Sequence, residues 1–291
     1  MLSLDAFSIN QSYLHRILLN SVAPRPIAFV STIDDEGRPN LAPFSFFNAF
    51  GVNPGTLIFS PARRGRNNTT KHTYQNLRQV PEAVVNVVTY SMVQQVSLAS
   101  TDFPKGVNEF EKAGFTPLES LKVKPFRVAE SPVQYECRVR QIIPTGQGGG
   151  AANLVICSIL KVHIDESVLD ENNEIDPDKM DLVGRMGGNY YVRADQNARF
   201  IVPKPLHSIG IGIDALPPAI RFSKYLTGND LGRLGNIAAL PDQDLINRWK
   251  ANSGLQEMIS NNPTLFYDNI RALLDEGKTA EALSRLMAAL L

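Results

Sequence analysis

Cysteine and tryptophan are scarce in this chain, long apolar runs are missing, and neither sign of charge dominates. Among 291 residues there are two cysteines, Cys137 and Cys157, too few for a disulfide framework or a structural zinc cage. The four histidines, His15, His72, His163 and His207, are scattered without H-E-x-x-H or His-Cys spacing, which argues against a metal site. Lys+Arg and Asp+Glu both number 29, so the formal charge is zero and a nucleic acid is not the expected partner. No run of about 18 uncharged apolar residues exists, which excludes a membrane-spanning helix. The first residues lack a basic segment followed by an unbroken apolar one, so no signal peptide is evident and the expected location is the cytoplasm. No Ser-His-Asp or Cys-His signature appears, so no side chain is expected to act as a nucleophile. What is present is 43% hydrophobic and 20% charged residues, a globular composition long enough for one large or two modest domains.

The text changes character near residue 205. Before it, short β-rich runs alternate with turn signals. Pro26–Ile33 reads as a buried strand that runs into the Asp34-Asp35-Glu36-Gly37 turn. Asn40–Pro43, Thr56–Ser60 and Ala83–Thr89 read as further strands. Val133, Tyr135, Cys137 and Val139 alternate with Gln134, Glu136, Arg138 and Arg140, the pattern of a half-buried antiparallel strand. Leu154–Ile164, beyond the turn Pro144–Ala152, is its expected hairpin partner. Short helices are expected at Thr70–Gln79 and Val107–Ala113. Many closely spaced strands favour a closed barrel over a doubly wound parallel sheet. After the Pro203–Pro205 break the pattern is helical. Leu231, Leu234 and Ala238, and later Leu283, Leu286 and Leu290, recur at helical spacing, while Pro218, Pro241 and Pro263 stand where helices can begin. The expected division is therefore a β domain over 1–204 and a helical extension over 205–291.

Two matches to G-x-G-x-x-A, Gly146–Ala151 and Gly210–Ala215, lack the helix that must follow a dinucleotide fingerprint, the first running into a strand-like segment and the second into Pro217-Pro218, and read as loops. Gly277-Lys278-Thr279 ends like a phosphate-binding loop, but Ala272 stands where its first glycine belongs. Asn68-Thr69-Thr70 is a glycosylation sequon only in a secreted chain.

Three stretches carry more than polar economy explains. In Pro43–Phe50, four phenylalanines are interleaved with Ser45 and Asn48, apolar walls with a few polar groups, as a planar heteroaromatic ligand requires; the plain alternative is a strand end whose Phe residues enter the core. Ser60–Thr73 follows a strand, carries Arg63, Arg64, Arg66 and Lys71, and runs into a helix start, where N–H groups, guanidinium forks and hydroxyls suit a phosphate; the alternative is a solvated basic loop. Gly184–Tyr191 offers close backbone approach beside Arg185 and Tyr190, or is simply a loop into a short strand. A phosphorylated flavin is the simplest single ligand needing all three.

At these positions the chain resembles the flavin-reductase-like FMN-binding split-barrel family, flavoredoxin-type flavoproteins included. The likeness is carried by Val22–Thr32 (VAPRPIAFVST), Asn40–Phe47, Lys71-His72-Thr73 with Asn76, Ser100–Pro104, Glu130-Ser131-Pro132, Glu136-Cys137 and Gly184–Tyr190, and spans about residues 10–200. It implies a six-stranded antiparallel Greek-key split barrel with short flanking helices, a homodimer, and one FMN per subunit near the dimer interface. Carried over position by position, Ser45, Phe46, Phe47 and Asn48 would contact the isoalloxazine and ribityl chain. Ser60, Arg63, Lys71 and Thr73 would hold the phosphate end, His72 and Ser100 would join the cofactor contacts, and Arg185 would lie near the flavin or the incoming nicotinamide. His72 departs from the family, which commonly has Asp there. An Asp accepts hydrogen bonds, whereas His72 can donate one.

The leading expectation is an NAD(P)H-dependent flavin reductase passing hydride to flavin N5. The alternatives are a non-catalytic FMN carrier serving a partner oxidoreductase, and a binding or assembly module whose helical tail closes the cleft or docks a protein.

Overall fold

The computed structural model describes residues 1–204 and 209–291. Pro205, which closes the expected break and opens the expected second domain, and His207 lie outside the described residues. The chain divides into two compact units, Met1–Phe200 and Ile201–Leu291.

The first unit is mainly sheet with flanking helices. Among the described residues, seven strands form its main sheet: β1 (Ala28–Ile33), β2 (Pro39–Phe44), β3 (Phe47–Val52), β4 (Gly55–Phe59), β5 (Glu82–Val87), β6 (Val133–Pro144) and β7 (Asn153–Ile164). Their order is β2-β1-β5-β6-β7-β4-β3, antiparallel throughout. The two edge strands are consecutive in sequence, with only Ser45 and Phe46 between them. Laid flat, six inter-strand spacings would hold the edges ~29 Å apart. A three-residue step from Phe44 to Phe47 reaches about 11 Å at most. The sheet must therefore curl until its edges meet at that corner. No ladder joins β2 to β3 among the described residues, so the closed barrel expected from strand spacing is instead open along one seam.

Seven strands stand where the resemblance implied six. The sequence pattern joins Pro43–Phe50 in one aromatic stretch, since no Gly or Pro separates Phe44 from Phe47; pairing with β4, Phe47 opposite Phe59, makes Phe47–Val52 a separate edge strand. Of the four phenylalanines only Phe44 is buried, stacked on Phe59 with ring centroids 5.7 Å apart, while Phe46 is 41% and Phe50 64% exposed.

Val30, Phe44, Phe59, Val85, Val155 and the two cysteines fill the barrel, and Leu77 of α2 (His72–Gln79) joins this core. Burial pushes both thiols up, Cys157 to about 12, so they behave as small apolar core residues. On the other side of β1, Phe29 packs with Val96 of α3 (Val93–Ala99) and Phe110 of α4 (Glu109–Ala113). Because β1 is covered on both faces, all six of its residues are buried, as a continuous rather than alternating run demands. Each fully buried Leu, Ile or Phe contributes about 1.5–3 kcal/mol.

The alternation expected at Val133–Arg140 holds only at the far end. Arg138 and Arg140 are exposed, but Gln134 and Glu136 are buried. The segment Leu121–Val123 covers this face, and its three N–H groups donate to the Glu136 carboxylate, joined by His163 Nε2 at 2.5 Å. Both helices expected in this unit form but start later, at His72 and Glu109, where Lys71 and Asn108 are the N-caps. A helix at Gln11–Ser21 (α1) was not foreseen, and none of its residues is buried.

The second unit holds six helices among the described residues: Pro218–Arg221, Gly228–Gly235, Gln243–Lys250, Ser253–Asn261, Pro263–Asp275 and Thr279–Leu290. Its own core includes Leu234, Ile246, Phe266, Ile270, Leu283 and Leu286. Pro218 and Pro263 open helices as expected, but Asp242 rather than Pro241 caps Gln243–Lys250. Ala238 lies beyond the helix that carries Leu231 and Leu234, which ends at Gly235. Gly277, at φ +74°, turns the chain between the last two helices, so Gly277-Lys278 is a helix–helix turn and Thr279 opens the last helix.

Candidate functional site

At the corner where β2 and β3 separate lies a cleft of about 290 Å³, bordered by Phe44, Ser45, Phe46, Ser60, Arg63 and Lys71. The link and the loop after β4 are tied together, since Ser60 N–H donates to Phe46 C=O at 2.9 Å. Five of the sequence-predicted residues, Ser45, Phe46, Ser60, Arg63 and Lys71, thus meet at one place.

The four cations of Ser60–Thr73 have different fates. Arg64 grips Asp102 with Nε and Nη2, and Arg66 reaches the same carboxylate. Arg63 Nε donates to Asn68 Oδ1 at 2.6 Å, and a second guanidinium nitrogen donates to Asn68 C=O. Asn68, in the left-handed region at φ 55°, also donates to Gln147 C=O in the β6–β7 turn. The Gly-rich turn read as a loop is therefore the buttress of the basic loop. A Cβ at Gly149 would lie 2.9 Å from Gly65 C=O, which explains why only glycine fits that approach.

Lys71 is the exception. It is half-buried, and its ammonium has no hydrogen-bond or ion-pair partner among the described residues. Burial first, then the charges of Arg64 and Arg66, hold its pKa below the usual lysine value. Lys71 is also the N-cap of α2 and supplies no capping side chain, so the first-turn N–H groups stay available beside the ammonium. An uncompensated half-buried cation costs stability, and an anion in the cleft removes that cost. His72 follows at the first helical position. Burial, then Arg64, Lys105 and Lys71, press its pKa down, which favours the neutral imidazole.

The other predicted residues lie elsewhere. Thr73 is buried, and its hydroxyl accepts from Asn40 Nδ2 at 3.0 Å, facing the barrel rather than the cleft. Ser100 is exposed and donates to Ser97 C=O. Phe47 is half-buried against the barrel core, and Asn48 is exposed on β3 with its Oδ1 accepting from Ala49 N–H. Arg185 borders a different cavity, formed with the hairpin of β8 (Val183–Arg185) and β9 (Tyr191–Arg193).

Sequence reasoning missed Arg25. Its guanidinium is buried, donating to Leu19 C=O at 2.7 Å, Val22 C=O at 2.9 Å and Met186 C=O at 3.0 Å. Nε points to Ser45 Oγ at 3.5 Å, and the guanidinium carbon lies 6.0 Å from the Phe46 ring centre. Arg25 and Arg185 also exchange two backbone hydrogen bonds. One buried cation thereby joins the end of α1, the β8 strand and the cleft wall. The available signal was a charge wedged between two prolines directly before a buried strand, Pro24-Arg25-Pro26. Asp102 was likewise visible only as part of Ser100–Pro104.

A flavin reductase-like domain model matches residues 20–183. An uncharacterized protein of Aquifex aeolicus is 38% identical over 181 residues, 62% of this chain and 90% of that protein. Among solved structures, nitrilotriacetate monooxygenase component B from Bacillus cereus aligns with TM-score 0.65 and 27% identity, covering 69% of this chain and 98% of its own. Pseudomonas fluorescens 2-nitrobenzoate 2-nitroreductase aligns with TM-score 0.60 and 27% identity, covering 72% of this chain and all of its own. The likeness accounts for nearly the full length of these proteins while leaving more than a quarter of this chain unmatched.

Proposed function

The chain belongs to the flavin reductase-like domain family, and we propose that residues 1–200 bind FMN and reduce it, or a flavin exchanged with it, at the expense of NAD(P)H. The observation that carries this reading is the Lys71 ammonium, without a partner among the described residues, at a helix start in the cleft, a receptor for a phosphate dianion. The cleft's size and charge suit the phosphate end of the ligand, and the exposed Phe46 at its border offers an apolar face to a ring.

When bound, FMN supplies the hydride-accepting chemistry, and the protein needs no nucleophile of its own. Lys71, the first-turn N–H groups of α2 and the Ser60 hydroxyl would hold the phosphate. Arg63 and Arg64, locked by Asn68 and Asp102, set the loop that carries these groups. Arg25 fixes Ser45 against the seam and adds a buried positive charge close to the ring-binding end, an environment that favours electron-rich ligands. We assign the flavin chemistry to the first unit because the family model matches residues 20–183, which lie within it.

A homodimer is part of this reading. Strand β3 is an edge strand exposed from Asn48 to Val52, with Val52 97% exposed. Such an edge invites a partner. Sedimentation analysis should give about twice the chain mass, and a concentration-independent monomer would remove the dimer.

The activity is tested by the visible spectrum of the purified protein after FMN addition, followed by anaerobic NADH and then NADPH. Flavin bands with rapid bleaching are the expected result. Retained colour without bleaching by either nucleotide assigns a carrier instead of a reductase. Failure to take up FMN at all overturns the assignment of the cleft.

A further inference from the structure

A second cavity, about 470 Å³, opens between the start of α3 and the β8–β9 hairpin. Its volume lies within the roughly 300–1,000 Å³ of small-molecule sites. Tyr90, Gln94 and Ser97 form one side, and Arg185, Asn189 and Tyr191 the other. None of its lining side chains is acidic among the described residues.

Two arginines border it, and they are not equivalent. Arg193 lies 4.0 Å from the Tyr90 ring centre and donates Nε and Nη2 to Asp181 at 2.7 and 3.0 Å, so its charge is balanced. Arg185 lies 4.6 Å from the Tyr191 ring centre, and among the described residues its one side-chain hydrogen bond runs from Nη1 to Tyr190 C=O at 3.0 Å. It has no carboxylate partner among the described residues. The cavity therefore offers one uncompensated guanidinium, flat tyrosine faces and neutral donors from Gln94, Ser97 and Asn189.

One spare cation calls for one anion, and tyrosine faces call for a ring. A dinucleotide, with two or more phosphates, would leave most of its charge without a partner here. We propose that this cavity binds a small aromatic monocarboxylate, with the carboxylate on Arg185 and the ring against Tyr90 or Tyr191. The site is separate from the anion cleft: the two share no lining residue, and the paired backbones of Arg25 and Arg185 run at the cavity's border. The proposal does not depend on the flavin reading.

The test is calorimetric titration of the full chain, both flavin-free and saturated with FMN, using benzoate and 2-naphthoate as probes. Benzamide supplies the ring without charge, cyclohexanecarboxylate the charge without an aromatic face, and 5′-AMP a nucleotide. Expected is one aryl carboxylate per chain in both states, with benzamide and cyclohexanecarboxylate at least tenfold weaker. Arg185→Gln should weaken binding tenfold or more, and Tyr191→Leu, which spares the cation, several-fold. Should Arg185→Gln fail to fold, as judged by circular dichroism, Tyr191→Leu and the two control probes decide. The proposal is overturned by absence of binding, by displacement of the aryl carboxylate when FMN is added, by variants that bind as the parent does, or by 5′-AMP binding more tightly at the same site.

Discussion

Lys71→Ala is expected to weaken FMN binding about 10- to 100-fold while leaving riboflavin affinity unchanged. The range is that of one hydrogen bond to a charged group, about 1.5–3 kcal/mol. Arg64 and Arg66 share Asp102 and Arg63 is held by Asn68, so among the described residues Lys71 is the cation of this loop left free for a new anion. Riboflavin lacks the phosphate and should not sense the change. Fluorescence titration of both flavins reads the difference directly. Equal losses for the two would mean that Lys71 supports the cleft rather than the phosphate. The pH dependence has a definite sign. Because burial and neighbouring cations lower the Lys71 pKa in the free protein, its charge is lost at lower pH than that of an ordinary lysine. The FMN-over-riboflavin preference should therefore decline as pH rises toward ~10, the ordinary lysine range, and this decline should be absent in Lys71→Ala.

The largest stability effect is expected at Glu136. Glu136→Ala strips the acceptor from three N–H groups of Leu121–Val123 and from His163, and should cost about 3–5 kcal/mol in urea unfolding. The carboxylate is fully buried. Burial alone would raise its pKa, but hydrogen bonds from Leu121 N–H, His163 and Lys122 N–H outweigh it, and the net shift is downward. A depressed carboxylate contributes its full stability above the unfolded value of about 4.3 and loses it as pH falls through that value toward the lower folded one. Glu136→Gln should lack this acid-side loss. Identical acid profiles for parent and Glu136→Gln would assign the anchoring of Leu121–Val123 to other contacts.

The candidate site was legible in the sequence to an uneven degree. Ser45, Phe46, Ser60, Arg63 and Lys71 were singled out from local patterns, an aromatic stretch and a basic loop before a helix, and the fold brings them to one cleft. Those patterns report residue type and order. They do not report which cations are already spoken for. Asp102, which neutralises Arg64 and Arg66, lies more than 30 residues away and meets them only through the fold. Thr73 shows the complementary failure. Its spacing from Lys71 suited a phosphate grip, but on a helix two positions turn the side chain by about 200°, and it faces Asn40 inside the barrel. Arg25 was hidden because a lone arginine beside prolines has no periodic signature, and its contacts with Ser45, Phe46 and Met186 arise only through the fold.

The same division runs through the whole molecule. The sequence by itself determined the two kinds of text, β-rich before about residue 205 and helical after it, because hydrophobic period and turn residues act over a few positions. It also determined the buried course of β1, the β6–β7 hairpin and the helix starts at Pro218 and Pro263. Tertiary structure alone decided that β2 and β3 are the two edges of one curled sheet, that Glu136 on a seemingly solvated face is buried, and that one lysine of a basic loop is free while its neighbours are paired. Each of those depends on which distant segment covers a face or neutralises a charge, and proximity in space between residues far apart in the chain is not written in any local pattern.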